Sequence, residues 1–188
     1  MRLPFILRSV RVEDEKQDMT TKKTIEFSSL VVEISTFEDK SKYTFKGALD
    51  DKIREHDIPR AQNKDVIFDL SQIQRISSTG IREWIKIVSA FKNTKSLIFE
   101  KCSVIMVDQF NMVPETIGTA QIESFYAPYF HEATGKEIIC LIKVDFHGPF
   151  LAKREAPPMV NEATGDALEF DALEDSYFSF LKHANRGS

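Results

Sequence analysis

Three consecutive hydroxyl side chains, Ser77, Ser78 and Thr79, precede Gly80 and the amphipathic run "IREWIKIV". Hydroxyls placed there have two uses. They cap the free backbone N–H groups of a helix start, and they can carry a phosphoryl group, because those N–H groups and the helix dipole favour an anion. A second feature is the tetrapeptide Glu-Ala-Thr-Gly, found at 132–135 and again at 162–165. The copies follow His131 and Asn161, and each ends on a glycine able to take the positive φ of a tight turn. Such a pair suits two turns of a small duplicated unit or the remains of a metal site. The other reactive side chains are dispersed. Cys102 and Cys140 are the only cysteines, too few for a disulfide framework, and fit reduced thiols in a cytoplasmic protein. His56, His131, His147 and His183 have no nucleophile at a diagnostic spacing. With no Ser/His/Asp set, nucleotide-binding glycine loop or metal box, the sequence points to no catalytic residue, no cofactor and no enzyme.

The elements that position these residues follow from hydrophobic spacing. "SLVVEIST" (29–36) and "KYTFKG" (42–47) are strands separated by the turn residues "FEDKS", a hairpin. "DDKIREHDIPRAQNK" (50–64) is a solvated stretch whose short helix ends near Pro59. "DVIFDL" (65–70) and "SLIFE" (96–100) are apolar runs of strands buried on both faces. Between them Ile81, Trp84, Ile85, Val88 and Phe91 fall on one helical face, with Trp84 a core residue. Strand, helix and strand make a right-handed βαβ crossover. Ser103 is placed to cap a second helix burying Val104, Val107 and Phe110, and "TAQIESF" (119–125) is a further strand.

Residues 125–181 then hold half of the chain's aromatics. They spell strand, EATG turn, the strand "EIICLIKVDF", a proline-containing bend at "HGPFLAKREAPP", a second EATG turn and a helix. In that helix Asp171 and Glu174 are placed as a cap and Leu173, Tyr177, Phe180 and Leu181 line one face. Ahead of all this, residues 1–24 form a flexible leader, with Met19 an alternative start. Its apolar patch is too short for a signal segment.

Composition narrows the function. Hydrophobic residues make up 42% and charged residues 29%, those of a folded globular protein. A net charge of -4 with no basic stripe gives no footprint for nucleic acid or an anionic membrane.

The stretch "VIFDLSQIQRISSTGIREWIKIV" (66–88) resembles the signature of STAS domains, the modules of anti-sigma-factor antagonists and sulfate-transporter tails. Their pattern is an apolar strand, Asp-Leu-Ser, an apolar pair, then Asp-Ser-Ser/Thr-Gly opening a helix. Asp69-Leu70-Ser71 and Ser77-Ser78-Thr79-Gly80 carry it here, and "YTFKGALDD" (43–51) is similar to the family's second strand. The likeness spans 25–125. It implies an α/β fold, a mixed sheet with helices on one side, and a module that binds a protein partner through Ser77, Ser78, Thr79, Gly80 and Arg82. It also implies Ser78 as phosphoacceptor, with an anti-sigma factor that is also a serine kinase as partner; Ser77 stands where the family has Asp. A phosphate adds about -1.5 to -2 charges to the docking patch and releases the partner without unfolding the domain. Two other roles fit the same fold: a self-associating or scaffold module without phospho-switching, and a sensor of a small anion or nucleotide.

Residues 126–188 resemble a C-terminal extension of some bacterial STAS-like proteins, in "SFYAPYF" (124–130) and "FDALEDSYFSFL" (170–181). In those proteins two Cys-x-x-Cys-Gly knuckles hold zinc. The four cysteine positions correspond to His131, Thr134, Asn161 and Thr164, each pair followed by Gly135 or Gly165. A thiolate set is absent, so the expectation is a small β-rich, metal-free lobe closed by a helix. In it threonine hydroxyls bond locally in place of the ion.

Overall fold

The computed structural model describes residues 20–61 and 64–184. The expected leader lies outside them as far as residue 19. Its last residues do not: Thr21–Thr24 belong to the first strand. Six strands form a mixed sheet in the order β1 to β6: Thr21–Glu26, Leu30–Thr36, Lys40–Leu49, Asp65–Ile76, Ser96–Glu100 and Gln121–Ile122. The first three run antiparallel and β3 to β6 parallel. The hairpin and the crossover are as the sequence indicates, with α1 (Ser78–Ala90) joining β4 to β5 and α2 (Val104–Met112) following β5. The short helix before Pro59 is a single 3-10 turn, Glu55–Asp57.

Both helices lie on one face of this sheet. Tyr43, Phe45, Phe68 and Phe99 point into that face and meet Trp84, Phe91 and Phe110 edge-on, tilted or stacked, at centroid distances of 5.0 to 5.9 Å. The opposite face is open. There Ile67 and Ile98 are half-exposed, so β4 and β5 are buried on one face and not two. On α1 the buried residues are Gly80, Trp84, Ile87 and Val88, with Phe91 just beyond the helix. Ile81 and Ile85 lie at the margin of that stripe and Ile87 inside it, a modest rotation from the expected face. On α2, Met106 takes the place expected of Val104.

The second sheet is antiparallel, in the order β8-β7-β10-β9. Its strands are β7 (Ser124–His131), β8 (Lys136–Lys143), β9 (Met159–Val160) and β10 (Ala167–Phe170). β7 begins inside the stretch expected to be one strand of the first sheet; only Gln121–Ile122 stays there. The boundary expected at 125/126 therefore falls within a strand, and the second sheet begins at Ser124. The expected strand through Phe146 stops at Lys143, where the chain enters α3 (Val144–Leu151). Pro149 sits inside α3 and costs one backbone bond, that to the Asp145 carbonyl. The closing segment is α4 (Glu174–Tyr177), a 3-10 turn Phe178–Phe180 and α5 (Leu181–Ala184). Its cap differs from expectation: Leu173 occupies the N-cap position, 80% exposed, and the buried face is Tyr177, Phe178 and Phe180. Glu174 accepts instead from the Ala156 N–H, 2.6 Å away.

The two sheets share one core. Phe110 stacks on Phe99 and touches Phe180, and Phe180 meets Phe125 at 5.1 Å. From there Phe178, Phe170 and Tyr129 continue the ring contacts across the second sheet. Asn111 binds the same segment by hydrogen bonds, donating to the Tyr177 carbonyl and accepting from Ser179 and Phe180.

Candidate functional site

Ser77 is the N-cap of α1, in an extended conformation, and its Oγ accepts from the Gly80 N–H at 3.0 Å. The same Oγ lies 2.9 Å from the Thr79 hydroxyl. A serine side chain therefore caps this helix start. Ser78 is the first residue of the helix. Among the described residues its side chain bonds to nothing, and it is exposed together with Ser77, Thr79 and Arg82. Gly80 has a different task. A Cβ there would sit 2.1 Å from the Leu49 carbonyl oxygen, so only glycine lets α1 start against the end of β3. The Ser77 N–H completes that junction by donating to the same carbonyl at 2.9 Å.

The charged rim of this edge is mixed in sign. Asp50 accepts from the Ser29 hydroxyl at 2.5 Å, and this bond, together with the Lys52 amide and the Lys52 and Arg75 charges, holds its carboxyl below the usual range. Arg54 pairs with Glu83 at 3.7 Å. The apolar grooves lie elsewhere. One, of 370 Å³, runs between Ser71, Ile73, Ser103, Val104, Ile105, Tyr126 and Ile139. Ser103 precedes α2 as expected, but its hydroxyl makes no capping bond and is buried without a partner among the described residues.

The two EATG segments come together. In the first turn the Gly135 N–H donates to the His131 carbonyl at 2.9 Å, and in the second the Gly165 N–H donates to the Asn161 carbonyl at 2.7 Å. Both glycines have positive φ, 63° and 78°, which the turns require. The turns meet at the His131 ring, which is 2% exposed. Asn161 Oδ1 accepts from the Ala163 N–H at 2.9 Å, which fixes the amide and leaves Nδ2 to donate to His131 Nδ1 at 3.3 Å. Thr134 Oγ1 lies 2.9 Å from the same Nδ1. With Nδ1 accepting, Nε2–H donates to Asp166 Oδ2 at 3.0 Å. The Thr164 hydroxyl accepts from the Asp166 N–H at 3.3 Å, and Thr164 and His131 together hold the Asp166 carboxyl below its usual range.

His131, Thr134 and Asn161 thus converge, and Thr164 joins through Asp166, a member that spacing did not reveal. Cys140 lies opposite Ala127 and His147 bonds the Lys143 backbone, so neither reaches His131. Among the described residues no three His, Cys, Asp or Glu side chains are grouped to share a metal ion.

A third cluster occupies the open face of the first sheet. Lys42 bridges Asp69 at 3.2 Å and Glu100, and Lys101 lies 3.9 Å from both. Burial raises the Asp69 pKa, but the Ser71 hydroxyl and amide and the Lys42 ammonium outweigh it and hold the carboxyl low. Asp69-Leu70-Ser71 is therefore a self-bonded unit, with aspartate oriented by serine. A carboxylate inside the apolar run "VIFDL" was the available signal.

Among the described residues no helix is long and apolar enough to cross a membrane. Compared with known protein families, with curated proteins and with solved structures, the chain gave no match in any of the three.

Proposed function

We propose that the chain is a non-catalytic, protein-binding regulatory module of the STAS type, working in the cytoplasm, with the α1 start as its docking edge and Ser78 as its switch. The observation that supports this is the division of labour among the three hydroxyls. Ser77 and Thr79 are engaged with each other, and Ser77 also with the Gly80 N–H, whereas Ser78 is exposed and unbonded, the one free for transfer. A phosphate on it would project from the edge while the cap stays intact, so it would change partner affinity and leave the fold alone. The sheet order, parallel β3–β4–β5 with α1 and α2 on one face, suits this reading. The second sheet is a metal-free counterpart of a zinc ribbon, in which the His131 network and the aromatic core take over the organising role of an ion.

The test compares immobilised wild type, Ser78→Ala and Ser78→Asp in extracts of the native cell. A partner retained by wild type and Ser78→Ala and lost with Ser78→Asp supports switching. Equal retention by all three, with no phosphate on Ser78 of the native protein by mass spectrometry, overturns it.

A further inference from the structure

The two sheets present four outer edges, and three are guarded. β1 carries Lys22 and Lys23, and β6 and β9 are two residues long. The fourth, β8, is eight residues long and has no strand on its outer side among the described residues, where His147 of α3 meets only its last residue. Its sequence, Lys-Glu-Ile-Ile-Cys-Leu-Ile-Lys, is an apolar run between charges, and Ile139 is 46% exposed. An open apolar edge of this kind is a template for another strand.

We infer that β8 pairs with β8 of a second copy of this chain, antiparallel, about a two-fold axis at Cys140. The backbone sets which registers are allowed. Val144 N–H donates to Glu123, and the Lys143 N–H turns away from β7 to His147 Nδ1. Amides alternate along an antiparallel strand, so Ile138, Cys140 and Ile142 bond inward to β7 while Glu137, Ile139 and Leu141 point outward. A partner strand must face these outward groups with its own.

Charge then chooses among the permitted registers. Centred on Cys140, Glu137 faces Lys143 of the second copy, twice by symmetry, Ile139 faces Leu141, and Ile138 faces Ile142. Centred on Ile139, Glu137 would face Leu141 and Lys136 would face Ile142, with no charge matched. The Cys140 register pairs opposite charges at both ends and covers Ile139. It also makes Cys140 face Cys140 as a non-hydrogen-bonded pair, with Cα atoms about 4.5 Å apart, inside the range a disulfide spans. Cys102 is fully buried and takes no part. This surface belongs to the second sheet and does not depend on Ser78.

The full-length chain is measured by light scattering, and then oxidised with diamide, which takes two electrons and two protons from a pair of facing thiols. The expected results are twice the chain mass and a reducible covalent dimer on a denaturing gel, absent from Cys140→Ser. Glu137→Lys returns the mass to one chain, and Glu137→Lys with Lys143→Glu restores the dimer; both positions are exposed, so the fold is unaffected. A monomer at every concentration overturns the inference. So does a dimer that survives Glu137→Lys, or one in which Cys140 does not cross-link.

Discussion

Asn161 and His131, thirty residues apart in sequence, meet through Nδ2 and Nδ1 at 3.3 Å and so tie the two EATG turns to one buried imidazole. Removing the ring leaves a cavity and takes a partner from Asn161, Thr134 and Asp166. His131→Ala is expected to cost about 2–3 kcal/mol, measured by urea unfolding. Hydrogen exchange would locate the loss in the turns at 131–135 and 161–165.

The same convergence makes the cluster convertible. Thr134→Cys, Asn161→Cys and Thr164→Cys together place three thiolates around His131, a donor set of the kind structural zinc takes. The triple variant is expected to bind one zinc per chain, measured by elemental analysis after dialysis, and the natural chain none. Stoichiometric zinc on the natural chain would contradict a metal-free lobe.

Gly80 tests the junction of α1 with β3. Its missing Cβ would lie 2.1 Å from a backbone oxygen, which cannot swing away as a side chain could. Gly80→Ala is expected to lose about 1–3 kcal/mol, seen as a lower thermal midpoint, although alanine is the better helix former.

The hydroxyls of that helix start should separate cleanly in stability. Ser77→Ala loses the N-cap bond to Gly80 and about 1 kcal/mol. Ser78→Ala, with no bond to lose, stays within about 0.5 kcal/mol of the natural chain. Paired chemical denaturation curves give both values.

Asp69 sets an acid limit on stability. Its folded pKa is depressed, so its contribution is present above the ordinary aspartate value of about 3.9 and is lost as pH falls through the lower folded value. Asp69→Asn is therefore expected to cost about 1–3 kcal/mol at pH 7, since it strips a partner from the largely buried Lys42–Asp69–Glu100 cluster. The difference between variant and natural chain should shrink when unfolding is repeated well below the ordinary aspartate value.

Local periodicity made the first sheet legible. The runs at 65–70 and 96–100 and the α1 stripe announced the crossover, and the turn residues at 37–41 announced the hairpin, although its second strand already starts at Lys40. The second half of β4 was hidden because Ser71, Gln72, Gln74 and Arg75 look like loop, although Ile73 continues the alternation and β3 supplies the pairing. α3 was hidden by Pro149, which ends most helices but here falls near a terminus. Spacing placed His131, Thr134 and Asn161 on equivalent turns, yet Asp166 and Glu100 could not be assigned to clusters: their partners are 35 and 58 residues away. Contacts of that range are made by tertiary packing and leave no periodic trace. A hydroxyl cap somewhere in 77–79 was visible, but which of the three residues forms it was not.

The unbroken file of rings from Tyr43 to Tyr129 bears on how this chain could have been assembled and reused. A second sheet held by Phe110 and Asn111 of α2 is not a cartridge that can be spliced onto another protein, because it would arrive without the ring and the amide that hold its closing segment. A cut before Ser124 would take Phe180 from Phe110 and the Tyr177–Phe180 segment from Asn111, leaving each part with apolar surface uncovered. A change of volume in one sheet therefore reaches the other through the shared core.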